Sequence, residues 1–321
     1  MKIAYLARAR PDLNTLIPPD IEHVILQAGE GGVYSEEDLA KMADADALVV
    51  SMEPVTEQVL AACPKVKIVQ RLGVGYETLD LQAAAKRGVY CCNVVGVNKE
   101  AVAEHGMLLM LALTRQLLGA DSLTRGGQWA EARLLTHRTF ELNGKTLGII
   151  GLGNTGSSLA KRARAFGMRI VYNDIREIDP EVIEATGARF MEKEALFQEA
   201  DLISVNTDLN DSSRHMINAR ALAQMKPSAL FVCCARGGVV DDQALADALQ
   251  AGTIAGAGMD VFEQEPLRAD NPLLNAPNLI MTSHVAGVTE ETTRRIFEWA
   301  HENVVAVVER GEKPRWIRNG L

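Results

Sequence analysis

Three glycines at a fixed spacing constrain this chain more than any other feature of its sequence. Gly151, Gly153 and Gly156 stand between the apolar run TLGII and a stretch with helical periodicity. The first glycine would permit a tight turn, the second would let backbone amides approach a pyrophosphate, and the third would let helix and strand pack closely. A plain glycine-rich turn is the alternative. The context of strand before and helix after favours a dinucleotide-binding turn.

An acidic residue supports this interpretation. Asp174 closes the next apolar run, RIVYND, near the distance of about 20 residues expected of a carboxylate that accepts hydrogen bonds from an adenosine ribose. A carboxylate there would repel a 2'-phosphate, so NAD is the predicted cofactor and NADP is disfavoured. Arg176 keeps the alternative open, because a guanidinium can pair with that phosphate.

Short apolar runs alternate with helical patterns along most of the chain. They predict an α/β fold with two doubly wound parallel-sheet domains. A long helix is predicted from Asn98, as N-cap, to about Leu118, and a closing helix from Thr289 through Val308. The stretch GGQWAEARLLTHRTFELNGK has no clear period and is predicted to be an arm or loop.

Composition narrows the possible partners to small molecules. The chain has 321 residues and a formal net charge of -9 without a block of Lys or Arg, which argues against nucleic acids and anionic membranes. It shows no signal peptide and no apolar run long enough to span a bilayer. Five cysteines fit neither a disulfide framework nor zinc-ligand spacing, so we expect reduced thiols in a cytoplasm and no metal site.

Three strands of the second half end in charged residues. Arg236 follows ALFVCCA, Asp260 and Glu265 follow IAGAGM, and His284 follows LIMTS. Ligands of open parallel sheets bind beyond the carboxyl ends of the strands. Oxidation of a hydroxy acid needs a base, a cation for the carboxylate and an acid that tunes the base. Singly, each residue could instead be a capped loop, a solvated turn or a core histidine.

Together these motifs resemble the D-isomer-specific 2-hydroxyacid dehydrogenases, over nearly the whole chain. The resemblance rests on RLGVGYETLDLQAAAKRGV, VNKEAVAEHGMLLMLALTR, LNGKTLGIIGLG, ARGGVVDDQALADALQAGTIAGAGMDVFEQEP and SHVAGVTEET. It implies a Rossmann NAD-binding domain, residues 99–288, inserted into a flavodoxin-like substrate domain, residues 1–98 and 289–321. It also implies a homodimer joined by the arm, residues 118–143, where Trp129 and Leu134–Leu135 would prefer burial.

The resemblance assigns roles to the charged residues. His284 would be the acid/base, Glu265 its hydrogen-bonded partner and Arg236 the clamp on the substrate carboxylate, in a cleft between the domains. The same carboxylate would meet the backbone of Leu72, Gly73, Val74 and Gly75. Asp260 would contact the nicotinamide amide. The full set predicted to bind the cofactor is Gly151, Gly153, Asn154, Thr155, Gly156, Asp174, Asn206, Ala235, Asp260, His284 and Gly287.

The implied activity is NAD-dependent interconversion of a small D-2-hydroxy acid and its 2-oxo acid, with the individual acid undetermined. Two alternatives stand beside it: an NADH-sensing binding protein or corepressor with little turnover, and a formate dehydrogenase. The Glu265 and His284 pair, where a formate enzyme would have Gln and His, argues against the second.

Four positions depart from the family pattern. Cys233 replaces the usual Asn, Ser283 the usual Pro, and Asn206 and Asp208 the usual His and Pro. Asp208 would add negative charge near the cofactor. Cys234 suggests sensitivity to thiol reagents, with a buried inert cysteine as the alternative.

Overall fold

A computed structural model describes residues 1–8 and 13–321 of the chain. The described residues form two compact units, Met1–Val97 with Thr289–Leu321 and Asn98–Val288. Each unit is built around its own parallel sheet. The fold class expected from the alternating apolar runs is thereby confirmed.

The first unit holds a five-stranded parallel sheet in the order β2-β1-β3-β4-β5, the flavodoxin-like arrangement. Its strands are β1 Lys2–Leu6, β2 Glu22–Leu26, β3 Ala47–Val50, β4 Ile68–Arg71 and β5 Tyr90–Cys92. Buried apolar clusters line both faces of this sheet. Two-sided burial explains why the central strands read as continuous apolar runs.

The second unit holds a seven-stranded parallel sheet in the order β12-β11-β10-β9-β6-β7-β8. Its strands are β6 Thr146–Ile150, β7 Arg169–Asn173, β8 Arg189–Phe190, β9 Leu202–Val205, β10 Leu230–Cys233, β11 Gly256–Met259 and β12 Leu279–Met281. The strand order reverses direction between β6 and β9, and ligands of doubly wound sheets bind at such a point. Strand β8 is absent from the sequence prediction because its two residues are both exposed and show no apolar pattern.

Thirteen α-helices are present in the described ranges. They are α1 Leu13–Leu16, α2 Glu36–Met42, α3 Glu57–Ala62, α4 Leu81–Lys86, α5 Lys99–Thr114, α6 Leu117–Arg125, α7 Trp129–Leu134, α8 Asn154–Ala165, α9 Pro180–Thr186, α10 Lys193–Glu199, α11 Ala219–Leu222, α12 Asp242–Gln250 and α13 Glu290–Val308. Among the described helices, none is long and apolar enough to cross a membrane.

Helix α13 follows the sequence prediction. The Thr289 side chain accepts a hydrogen bond from the Thr292 amide, which caps the helix. Phe297 and Val304 then pack with Ile3 and Tyr5 of the first sheet, so the final segment completes the core of the first unit. An amphipathic pattern after a capping residue is enough to predict such a helix.

Two predictions around α5 need correction. The helix ends at Thr114, four residues before Leu118, because Gln116 has a left-handed backbone with φ of 52°. Asn98 occupies the N-cap position, yet its side chain makes no capping hydrogen bond within the described part of the chain.

The part of the chain predicted to be an arm or loop contains helices, so it is not an irregular loop. Residues 117–138 form α6, α7 and a 3-10 helix, Leu135–Arg138. Trp129 and Leu134, which would prefer burial in the predicted dimer contact, are 66% and 64% exposed on the single chain. A helical period is hard to detect here because the apolar side chains do not face the core of their own unit.

Candidate dinucleotide site and active site

The glycine turn connects β6 to α8. Gly151 has φ of 90°, and a side chain there would collide with the Asn206 backbone. A side chain on Gly156 would overlap the Gly151 carbonyl. Gly153 is the N-cap residue of α8, and no side-chain hydrogen bond from the described residues caps that helix. The first amides of this twelve-residue helix, with glycine at its N-cap, fit a pyrophosphate.

Asp174 lies at the carboxyl end of β7, beside this turn. Its Oδ2 accepts a hydrogen bond of 2.9 Å from the Leu152 amide, and its Oδ1 accepts one of 3.0 Å from the Arg176 amide. Burial alone would raise the pKa of Asp174, but hydrogen bonds and charge from Arg176 outweigh it and lower the pKa. The residue is therefore an anionic acceptor fixed at the edge of the turn.

Two further residues predicted near the cofactor shape the same edge. Asn206 continues β9: its amide donates to the Ile150 carbonyl, and its side chain donates to Ser204 at 3.2 Å. The Asp208 carboxylate contributes, after the larger effect of Asp174, to raising the pKa of Arg176. Asp208, which departs from the family pattern, thus places a negative charge near Arg176.

His284 and Glu265 form a short ion pair at the carboxyl edge of the second sheet. His284 Nδ1 lies 2.6 Å from Glu265 Oε2. Glu265 Oε1 accepts a second hydrogen bond, of 3.0 Å, from the Phe262 amide. Both side chains keep partial exposure, at 46% and 34% respectively. The pair is fixed on one side and open to a ligand on the other.

The electrostatics of this pair favour a charged histidine. The hydrogen bond to Glu265 raises the pKa of His284 above its ordinary value, although burial opposes the shift. Burial would raise the pKa of Glu265, but hydrogen bonds from His284 and the Phe262 amide outweigh it, so that pKa is lowered. An imidazole whose protonated form is stabilised in this way can hold and release a proton.

Arg236 follows β10 and lies close to the pair. Its Nη1 donates to the Ala235 carbonyl at 2.8 Å, and its charge contributes to the low pKa of Glu265. The next residue, Gly237, packs so tightly against the Phe262 carbonyl that a side chain would not fit. This close approach joins the loop that carries Arg236 to the loop that carries Glu265. The structure therefore brings together a guanidinium, a carboxylate and an imidazole.

Asp260 is completely buried and its carboxylate is directed at the loop of His284. Oδ1 accepts hydrogen bonds from the Thr282 hydroxyl and the Val285 amide, and Oδ2 accepts one from the Ala286 amide. The Asp260 carbonyl accepts the His284 amide at 2.7 Å. In this arrangement the carboxylate holds the loop, and its predicted contact with nicotinamide stays a prediction. Gly287, at the end of the loop, packs against the Asn98 side chain.

The segment Leu72–Gly75 follows the carboxyl end of β4 in the first unit. Its carbonyls are held by the surrounding scaffold. Arg71 Nε donates to the Gly75 carbonyl at 3.0 Å, Asn93 Nδ2 donates to the Val74 carbonyl at 2.6 Å, and the Val94 amide donates to Gly73. The turn is thus rigidly placed at a strand end, where backbone amides can serve a ligand.

Sequence reasoning missed two groups near the second-unit site. His105, on α5, lies 3.0 Å from the Thr282 hydroxyl through its Nε2. His215 Nε2 lies 2.6 Å from Glu263 Oε1, forming a second histidine–carboxylate pair. Neither pair belongs to a local sequence motif, because the partners are 177 residues apart in the first pair and 48 residues apart in the second. Only the first pair left a signal in the sequence, because Thr282 lies two residues before His284.

The cysteines show no sign of activation. Burial raises the pKa of Cys233 to about 11, although backbone hydrogen bonds oppose the shift. Burial also raises the pKa of Cys234 well above its ordinary value. Protonated thiols react slowly, so these values favour the inert alternative for Cys234. Among the residues that the structure describes, no group of three His, Cys, Asp or Glu side chains could hold a metal ion.

Comparison with known proteins gives a consistent family. Residues 107–286 match the family model for the NAD-binding domain of D-isomer specific 2-hydroxyacid dehydrogenases. The glyoxylate reductase of Korarchaeum cryptofilum is 40% identical over 279 residues, which cover 86% of this chain and 83% of that protein.

Solved structures give the same family. The apo-structure of D-lactate dehydrogenase from Escherichia coli superposes with a TM-score of 0.85 at 27% identity, covering 99% of both chains. A glyoxylate reductase from Paecilomyes thermophila superposes with a TM-score of 0.80 at 29% identity, covering 98% of this chain and 97% of that one. Since the family model spans more than half of the chain and the relatives extend over most of the rest, this protein belongs to the D-isomer-specific 2-hydroxyacid dehydrogenases, nicotinamide-dependent oxidoreductases.

Proposed function

We propose that this enzyme interconverts a small 2-oxo acid and its D-2-hydroxy acid, with His284 as the acid/base. The observation that carries the proposal is the 2.6 Å contact between His284 Nδ1 and Glu265 Oε2. It fixes the imidazole through one nitrogen, so that Nε2 is the atom that faces a substrate oxygen. General acid–base catalysis requires a positioned proton donor or acceptor, and a carboxylate partner positions this imidazole.

The side chains divide the work of the reaction. Bound nicotinamide would supply the hydride to C2, or accept it in the reverse direction. His284 Nε2 would donate a proton to the carbonyl oxygen in reduction and take the hydroxyl proton in oxidation. Glu265 would stabilise the protonated imidazole, because its carboxylate accepts the Nδ1 hydrogen.

Substrate orientation is assigned to Arg236. A guanidinium can bind a carboxylate through two parallel hydrogen bonds, which orients C2 as well as holding it. The backbone amides of Leu72–Gly75 are proposed as a further contact for that carboxylate. The partial exposure of Arg236 and its proximity to Glu265 support the assignment.

The substrate is proposed to be small. The relative from Korarchaeum cryptofilum carries the name glyoxylate reductase, which makes glyoxylate the first acid to try. The D configuration is taken from the family. NAD is proposed over NADP, because Asp174 is an anionic acceptor beside the glycine turn. A homodimer is proposed through the exposed residues of α6 and α7.

Replacing His284 tests the proposal. In His284→Ala we expect kcat for 2-oxo acid reduction to fall about a hundredfold or more, as for loss of a general acid. NADH consumption would be followed with glyoxylate, hydroxypyruvate and pyruvate, and NADH binding would be measured by fluorescence titration. His215→Ala is the matched control, because His215 makes an equally short contact with a carboxylate.

The outcomes separate the alternatives. Binding of NADH to both variants, with turnover lost only in His284→Ala, supports the proposal. Full turnover in His284→Ala would refute the acid/base role. Tight binding of NADH by the unmodified enzyme without turnover on any of the three acids would favour the sensing protein instead.

A further inference from the structure

The backbone of His284 is in a conformation that histidine rarely adopts. Its φ is 56°, in the left-handed region where a side chain is disfavoured. Such a conformation persists only where the surrounding structure holds it. The loop 283–286 therefore depends on contacts outside itself.

Asp260 supplies those contacts. Its carbonyl and both carboxylate oxygens together receive the amides of His284, Val285 and Ala286. A fully buried carboxylate is costly unless it is hydrogen-bonded, so these bonds hold Asp260 as firmly as they hold the loop. The position of His284 is thus tied to the position of Asp260, through its carbonyl directly and through its carboxylate by way of the next two amides.

Two further residues complete the hydrogen bonding of Asp260. The Thr282 hydroxyl donates to Asp260 Oδ1 at 2.5 Å, and His105 Nε2 lies 3.0 Å from the same hydroxyl. Because a hydroxyl has one hydrogen, which it gives to Asp260, Thr282 must accept from His105. The direction of donation is therefore from His105 to Thr282 to Asp260. Bonds arranged head to tail in this way strengthen one another.

The neighbour of His284 does not stiffen the loop. Ser283 lacks the ring by which a proline before the histidine would fix φ near -65°. Within the described part of the chain, the Ser283 amide donates no hydrogen bond to another residue. The hydrogen bonds to Asp260, by contrast, hold three consecutive amides of this loop.

We propose that Thr282 and His105 are positioning residues, which set the place of His284 by completing the hydrogen bonds of Asp260. The inference rests on the proposed function for the role of His284, but the hydrogen-bonded anchor exists independently of it. His105 lies on α5, and Thr282 follows β12, so the anchor ties the loop to two elements of the second unit. A small displacement of a catalytic group can cost a large factor in rate.

The experiment compares Thr282→Val, which removes the hydroxyl at nearly constant shape, with Thr282→Ser, which keeps it. We expect Thr282→Val to lower kcat about tenfold or more while KM for NADH and for the 2-oxo acid changes less than about threefold. Thr282→Ser should restore kcat to within about threefold of the original enzyme. His105→Leu should resemble Thr282→Val, and His105→Gln, which can still donate, should recover part of the rate.

A second readout does not require activity. Hydrogen exchange of the amides of His284, Val285 and Ala286, measured by mass spectrometry, should accelerate about tenfold in Thr282→Val with the melting temperature nearly unchanged. Thr114→Val is the matched control, because Thr114 is also buried and its hydroxyl donates within α5 to the Leu111 carbonyl. It should leave both kcat and the exchange of this loop unaltered.

Each result decides between the two proposals. Unchanged exchange in Thr282→Val would overturn the anchor, whatever the activity. Faster exchange with unchanged kcat would overturn the positioning role. An original enzyme without turnover would refute the proposed function, while the exchange measurement would still test the anchor.

Discussion

Arg176 closes on Asp174 through two parallel hydrogen bonds: Nε lies 3.1 Å from Oδ1, and Nη2 lies 3.0 Å from Oδ2. The carboxylate is 4% exposed, whereas the guanidinium is 63% exposed. Arg176 also lies near Gly153 of the phosphate-binding turn. The residue that would bind an adenosine ribose is therefore covered by a residue that could bind a 2'-phosphate.

This pair leads to a prediction about cofactor choice. Asp174→Ser should remove the acceptor for the ribose and release Arg176 to pair with a 2'-phosphate. The ratio of kcat/KM for NADH to that for NADPH should fall about tenfold or more. Initial rates with both cofactors would measure it. Adding Arg176→Gln should abolish the gain with NADPH, and a ratio that does not move in Asp174→Ser would show that Asp174 has no part in the choice.

Glu265→Gln should change the pH dependence of reduction. The hydrogen bond to Glu265 raises the pKa of His284, so its loss should lower that pKa. Reduction needs protonated His284 and is lost as pH rises through its pKa. The fall of kcat/KM on the alkaline side should therefore begin at lower pH than in the original enzyme, with the rate at neutral pH reduced about tenfold. Glu263→Gln is the control, and an alkaline limb that stays in place would contradict the pairing.

Arg236→Lys should separate charge from geometry at the substrate carboxylate. Lysine keeps the charge but cannot form the forked pair of hydrogen bonds. We expect KM for the 2-oxo acid to rise about tenfold with NADH binding unaltered, and about a hundredfold in Arg236→Gln. Steady-state kinetics with varied 2-oxo acid would measure both. If KM in Arg236→Gln equalled that of the original enzyme, the carboxylate would bind elsewhere.

The helices that follow α5 offer a test of the dimer. Leu118, Trp129 and Leu134 are 57%, 66% and 64% exposed on the single chain, and exposed apolar side chains of this size favour an interface. Trp129→Ser should raise the dissociation constant of the dimer about tenfold or more, as measured by analytical ultracentrifugation. Phe166→Ser, which alters an exposed aromatic residue at the end of α8, is the control. An original enzyme that sediments as a monomer would refute the proposed dimer.

The sequence alone was enough to predict much of this protein. Continuous apolar runs predicted both parallel sheets, because a strand that is buried on both faces has apolar residues at successive positions. The spacing of Gly151, Gly153 and Gly156 predicted the turn between β6 and α8, because the requirement for glycine there is local. Charged residues at strand ends indicated Arg236, Glu265 and His284, since parallel strands bring their carboxyl ends to one edge.

Tertiary structure decided what depends on distant partners. The short strand β8 has no apolar pattern of its own. Helix α5 ends just before Gln116, whose left-handed backbone cannot be predicted from the apolar sequence. The order His105, Thr282, Asp260 joins residues that are 177 and 22 positions apart in its two neighbouring pairs, so no short sequence window contains it. Such contacts arise because folding brings α5, β11 and β12 together, and the left-handed backbone of His284 is held by them rather than by its own sequence.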